Sequence, residues 1–361
     1  MDGFFQKKSY LCLSEYLNKQ LYMRPKRTTI KDIAKRLGLS ISTVSRALSG
    51  NENIKKETKE LILKTAHQLN YRSNPIGLSL KYGVTNTIGV LVPEMITPFA
   101  SEVILGIQET LNHKDYKVII AQSNEDPEKE RENLHLMENF MVDGIIVCPC
   151  DYKANKSDYQ RLQSNGIPIV FYDRIPFELD FPNVVVDDYR ESFFMIEHLI
   201  RSGRNKIVYI QGPANIYNTV ERARGYKDAL SKFKIPYDDR LVIKTGMTFD
   251  DGRIAAEKLL KSNVAFDAIF TFTETLALGT MNFLKSNQIK IPNEVAVASF
   301  SGTVLSTVVY PQLTSVEQPK REMGQAAANL ILEKIDNPSV LNKKILLSSK
   351  IELRSSTEIK K

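Results

Sequence analysis

The sequence predicts an α/β protein in three parts: a small helix-turn-helix headpiece, a short helical link, and a large two-lobed body built on parallel sheets. Three observations predict it. Residues 28–49 carry the apolar spacing of two short helices around a tight turn. Positive charge is confined to that end: residues 24–83 hold thirteen Lys/Arg against four Asp/Glu, whereas residues 84–361 net −3 in a chain of +7. From residue 84 onward, short β-branched runs alternate with helical stretches over about 270 residues. That is more than one compact unit usually holds.

Residues 1–23 contain no signal-peptide core, because Lys and Glu interrupt their apolar residues. They read in one of two ways: as sequence upstream of a natural start at Met23, or as a short amphipathic extension. The headpiece spans 24–73. Ile30, Ile33, Ala34 and Leu37 share one face of its first helix. Thr29 caps the start, with Asp32 as reciprocal partner, and Gly38 ends the helix because the turn needs a backbone that tolerates positive φ. Ser40 then caps a second helix that turns Val44, Ala47 and Leu48 inward and Ile41, Ser42, Ser45 and Arg46 outward. A plain αα-hairpin would share this pattern. The localised charge favours a recognition helix entering a DNA major groove. Thr58, Leu61, Ile62, Thr65, Ala66 and Leu69 mark a third helix that closes the core. Asn74 as N-cap and Pro75 in the first turn then start a helix of about two turns within 74–83, too short to be stable alone in water.

In the body, runs at 88–92, 118–122, 144–147, 169–172, 207–211, 268–272 and 295–299 suit buried parallel strands. Helical patterns fall at 101–112, 128–140, 189–202, 220–232, 250–261, 275–286 and 320–335. Ligands of such folds sit at the carboxyl ends of the strands. Pro98-Phe99 follows the first strand, Ser123-Asn124 the second and Asp173-Arg174 the fourth. Other chemistries lack support. The four histidines (His67, His113, His135, His198) show no metal-ligand spacing, and His67 and His198 read as structural. There is no GxGxxG, GxxxxGK[ST] or GxSxG. The expected cofactor and metal content is none. Cys148-Pro-Cys150 is too tight for an ordinary zinc site and reads as a pair of reduced thiols at a cleft rim, fitting a reducing cytoplasm. No apolar run reaches the ~18 residues of a membrane span.

The headpiece string TIKDIA from Thr29, then Gly38, Ser40, Thr43-Val44-Ser45-Arg46, Leu69-Asn70-Tyr71, Asn74-Pro75 and Leu80, closely resembles the lactose-repressor (LacI/GalR) family of bacterial transcription regulators. The resemblance covers residues 28–357. It implies that Thr29, Ile41, Ser42, Thr43, Ser45, Arg46, Asn74 and Leu80 contact DNA. It also makes 74–83 a hinge helix that orders on the operator and pushes Leu80 into the minor groove, where an apolar wedge kinks the duplex. This hinge departs from the usual one. Gly77-Leu78 replaces Ala-Arg, which lowers helix propensity by roughly 1 kcal/mol and removes one basic contact. For residues 84–361 the resemblance implies two Rossmann-like lobes of periplasmic sugar-binding-protein type, with three chain crossings and an effector between them.

Arg222, three residues before Gly225, has the family's Arg-x-x-Gly spacing for an effector-binding arginine. Thr273-Glu274 stands where the family usually has Asn-Asp, Ser301-Gly302 where it has Asp-Asp or Asp-Asn, and Met247 where some relatives place an aromatic. The expected effector contacts are Phe99, Asp173, Arg222, Met247, Glu274 and Ser301, with Arg222 and Asp173 facing each other across the cleft. Loss of the acidic pair at 301–302 leans towards an acidic or phosphorylated sugar.

The expectation is a cytoplasmic homodimer on palindromic operator DNA, repressing carbohydrate-use genes under control of a small sugar-like effector. Relatives that tetramerise add a leucine-heptad tail, and only four residues follow Thr357 here. An activator of the same architecture, or a purine or co-protein effector, are the alternatives within the class. A sugar-binding transport protein would explain the body but leave the basic headpiece without a purpose.

Overall fold

The structure, a computed structural model, describes residues 28–51, 53–71 and 84–358. The extension over 1–23 and the link over 74–83, with Asn74 and Leu80, lie outside the described residues. The chain divides into two compact units, the second beginning at Val84.

The headpiece is three helices: α1 (Ile30–Leu37), α2 (Ile41–Leu48) and α3 (Lys56–Gln68). Asp32 accepts both the backbone N–H and the hydroxyl of Thr29, at 2.8 and 2.7 Å. Gly38 ends α1 at φ +65°, the left-handed conformation expected of it. The Ser40 hydroxyl accepts the Thr43 N–H at 3.0 Å and so caps α2. Ile33, Ala34, Val44, Ala47, Ile62 and Ala66 form the core. Leu61, expected on the inner face of α3, is 50% exposed. The buried stripe runs Ile62, Thr65, Ala66, and at 3.6 residues per turn Leu61 points about 100° away from Ile62.

The body holds two six-stranded sheets. The first contains β1 (Thr87–Val92), β2 (Lys117–Gln122), β3 (Gly144–Val147), β4 (Ile169–Tyr172), β5 (Asn183–Val186) and a late strand β11 (Lys344–Leu347). Its order is β11-β5-β4-β3-β1-β2, all parallel. With it go α4 (Pro98–Asn112), α5 (Pro127–Asn139), α6 (Lys156–Ser164) and α12 (Lys320–Asp336), which packs along α4. The second sheet contains β6 (Ile207–Gln211), β7 (Val242–Lys244), β8 (Ala268–Thr271), β9 (Ala296–Ser299), β10 (Thr314–Glu317) and β12 (Lys350–Glu352). Its order is β12-β10-β9-β8-β6-β7, and β12 alone runs antiparallel to its neighbour. Its helices are α7 (Asp188–Arg201), α8 (Tyr217–Lys232), α9 (Phe249–Lys261), α10 (Glu274–Ser286) and the short α11 (Val304–Val308).

The chain therefore passes between lobes three times: after β5, after β10 and between β11 and β12. The seven strands and seven helices read from periodicity are all present, with ends shifted by a few residues. The unexpected strands are short. The run Val184–Val186 in β5 is only three residues of apolar sequence, and β7, β11 and β12 are sheet-edge strands with exposed residues.

Candidate functional site

On the headpiece, Val44 and Ala47 turn α2 inward, leaving Ile41 and Arg46 exposed on its free side together with Ser42; Thr43 and Ser45 are half-buried. Ser40 hydrogen-bonds the hydroxyls of Ser42 and Thr43, each at 2.8 Å. Arg46 Nε donates to the Ser42 carbonyl at 3.3 Å, so the guanidinium lies along the helix. Thr29 sits at the start of α1 with its hydroxyl held by Asp32. Short hydroxyls and one exposed arginine on a projecting helix can bond phosphate oxygens and base edges.

The cleft of the body is a connected set of polar contacts. Asp173 follows β4 in a left-handed conformation, φ +56°. Its backbone N–H donates to Val184 O at 2.9 Å, which holds the kink against β5. Its Oδ1 accepts Gln318 Nε2 at 3.2 Å, and its carbonyl accepts Asn218 Nδ2 at 3.3 Å. The same amide reaches Asp188 Oδ2 at 3.3 Å. Asp188, the first residue of α7, accepts Arg222 Nε at 2.8 Å. Arg222, on α8, donates also to Phe272 O at 2.6 Å. Its guanidinium lies 3.5 Å from the Phe300 ring centroid and 4.4 Å from that of Phe272.

Gly225 explains the spacing at Arg222. A Cβ there would come within 2.4 Å of Tyr189 O on α7. Glycine lets α8 close onto α7, and that approach brings Arg222 onto Asp188. The expectation that Arg222 faces Asp173 is thus corrected: the buried partner is Asp188, with Asn218 linking it to Asp173. Burial pushes the Asp188 carboxyl up to about 7, while Arg222 opposes the rise and Asp173 adds to it.

The other expected residues fall as follows. Phe99 is half-buried in the first turn of α4, which starts at Pro98 behind the N-cap Thr97. Met247 is half-buried and its Sδ lies 3.8 Å from Arg174 Nη2, a contact between lobes. Arg174 is held bidentately by Glu125, at 2.8 and 2.9 Å. Glu274 commits its carboxylate to the loop that follows Ser301. It accepts the Thr303 N–H at 2.8 Å, the Thr303 hydroxyl at 2.5 Å and the Ser306 hydroxyl, fixing the loop into α11. Ser301 accepts the Glu274 N–H at 3.2 Å. Cys148 and Cys150 are free and buried, not at a rim, and burial raises both thiols above their ordinary range.

Periodicity missed Asp188, Asn218, Glu125 and Gln318. Asp188 had a signal: it closes the sequence NVVVDD, so it is a strand-end acid once 183–186 is seen as a strand. Three further contacts span the lobes. Asn215 Nδ2 donates to Cys150 O at 3.2 Å and the Tyr152 N–H to Asn215 O at 3.2 Å. The rings of Phe177 and Tyr217 stack at 4.3 Å.

With this geometry in place, the comparisons decide the family. Residues 29–74 match bacterial regulatory proteins of the lacI family, and residues 85–352 match periplasmic binding proteins and the sugar binding domain of the LacI family. The chain belongs to the LacI family. Catabolite control protein A of Priestia megaterium is 32% identical over 334 residues, covering 91% of this chain and 99% of that one. A LacI-family regulator from Enterococcus faecium, solved with bound ribose, is 27% identical, with a TM-score of 0.69 over 75% of this chain and 98% of that one. The lac repressor dimer, solved on its operator with the anti-inducer ONPF, shares the fold: TM-score 0.79 at 20% identity, over 92% of this chain and 99% of that one. This LacI-family chain is a DNA-binding transcription regulator. Among the described residues, no helix is long and apolar enough to cross a membrane and no cluster suits a metal ion.

Proposed function

We propose that this LacI-family protein is a cytoplasmic, non-enzymatic homodimeric repressor that reads a palindromic operator and is controlled by a neutral polyhydroxylated effector in the interlobe cleft. The domain limits of the sequence reading, 24–73, 74–83 and 84–361, serve as its working parts. The observation that carries the effector class is charge pairing. Arg174 is matched by Glu125, Arg222 by Asp188, and Lys320 lies 3.5 Å from Glu317. Asp173 adds a carboxylate that accepts from the Gln318 amide. A phosphate or carboxylate entering this cleft meets two arginines already held by acids and the further carboxylate of Asp173, which disfavours the acidic or phosphorylated sugar that the 301–302 pair suggested. A neutral hydroxylated ring can use Asp173, Asn218 and Arg222 as acceptors and donors, with Phe99 against a C–H face and Met247 and Ser301 at the margin.

Ile41, Ser42, Thr43, Ser45 and Arg46 are the base and phosphate contacts, aided by Thr29 and Asn74, with Leu80 as the minor-groove wedge. Effector binding changes lobe closure, and the 74–83 segment passes the change to the headpiece with coupling of ~1–3 kcal/mol. The test is thermal-shift screening of neutral sugars, sugar acids and sugar phosphates against the full-length protein, followed by operator binding with each hit. A neutral hit that alters operator affinity is expected. Hits confined to phosphorylated or acidic compounds reject the effector class. Unchanged DNA bending in Leu80→Ala rejects the wedge, and a stable tetramer at micromolar concentration rejects the dimer.

A further inference from the structure

The second lobe contains a cavity that the cleft network does not use. It has a volume of about 460 Å³ and lies between α8 and the edge strand β7. Its size falls within the range of small-molecule sites, roughly 300–1,000 Å³. The opening follows from the sequence: β7 has three residues, and among the α8 residues that line the space, Ala223 is too small to fill it.

The walls have a definite chemistry. Tyr209 stacks on Tyr226 with centroids 5.4 Å apart, and Tyr237 stands edge-on to Tyr226 at 6.3 Å. Lys227 Nζ lies 4.6 Å from the Tyr237 centroid. Lys227 and Lys244 both line the cavity and form no ion pair among the described residues. The acid beside them is Asp239; burial raises the Tyr237 hydroxyl above its ordinary range, and the charge of Asp239 helps. Two lysines therefore line the cavity beside one carboxylate, whereas in the cleft Arg174 and Arg222 are each held by an acid, Glu125 and Asp188. Tyr209 backs this wall: its ring is fully buried and stacks also on Phe270, with centroids 5.4 Å apart.

We propose that this cavity is a second regulatory site for a small planar anion, an aromatic or heteroaromatic ring bearing a carboxylate or phosphate. The ring lies against the tyrosine wall and its anionic group meets Lys227 and Lys244. Ala223 adjoins Arg222 on α8 and Tyr226 follows it by one turn, so an occupant bears on the helix that carries the cleft arginine. Any effect on the cleft effector must then be reciprocal.

The test is calorimetry on the full-length protein with 4-nitrobenzoate, 4-nitrophenyl phosphate and the neutral 4-nitrobenzyl alcohol. At least one anion should bind about tenfold or more tightly than the alcohol, and the better of the two identifies the acid group. Lys244→Ala, at an exposed strand end, should weaken that anion about tenfold without lowering the melting temperature. Ala223→Leu should block it by filling the space. Arg46→Ala serves as the control for anions held on the basic headpiece. Equal binding of the alcohol, no binding at millimolar concentration, or anion binding unchanged by both Lys244→Ala and Ala223→Leu would each overturn the proposal.

Discussion

On the headpiece, Ile41, Ser42 and Arg46 stand exposed on α2, while the core is made by other residues of the same helices. In the cleft, Arg222 is 4% exposed and is held by Asp188, a backbone carbonyl and two aromatic faces. Residues of the first, exposed kind can change without changing the fold. Those of the second kind are part of the fold, so any substitution there alters stability and binding together.

Four outcomes would break or sharpen that contrast. The largest belongs to the cleft. Arg222→Ala leaves Asp188 buried without its cation and should destabilise the body by ~3–5 kcal/mol, read by chemical denaturation, with loss of effector response. A loss below 1 kcal/mol would mean that the pair is dispensable to folding. On the headpiece, Arg46→Ala should weaken operator binding by ~1–3 kcal/mol and leave the unfolding of the body unchanged; a lowered melting temperature would erase the distinction.

A third test uses pH. The folded Asp188 carboxyl is raised from 3.8 to about 7, so its contribution to stability falls as pH rises through that interval. The limit for one proton is about 1.4 kcal/mol per pH unit. Asp188→Asn should remove this slope, so the variant gains on the parent between pH 5 and 7. Parallel stability curves would contradict the raised carboxyl. The smallest effect is expected at Leu61, exposed on α3: Leu61→Gln should change headpiece stability by less than about 0.5 kcal/mol. A larger loss would show that this leucine is covered in the intact protein.

The contrast also sets what the sequence reveals. Headpiece determinants are local: Ser40 caps a helix three residues from its partner Thr43, and Gly38 adopts the φ that its turn requires. Cleft determinants are not. Asp188 meets Arg222 only because β5 forms and α7 then docks on α8 through Gly225. A three-residue valine run gave too weak a strand signal, so the acid that follows it went unrecognised. Glu274 stood at a family ligand position, yet its carboxylate is occupied by Thr303 and Ser306. Sequence position located the strand end, while the direction of the side chain depended on a loop nearly thirty residues later.

The threefold crossing between lobes has a consequence for synthesis. The first lobe is assembled from residues on both sides of the second: β1 to β5 come early, but α12 and β11 are made only after β6 to β10. A ribosome releasing this chain from its N-terminus exposes the face of α4 that α12 will cover, and the edge of β5 that β11 will pair, for as long as translation of the intervening lobe lasts. At ~5–20 residues per second that interval is several seconds or more. Chaperone dependence should therefore concentrate on nascent chains stalled before residue 320, and should fall once α12 and β11 have been made.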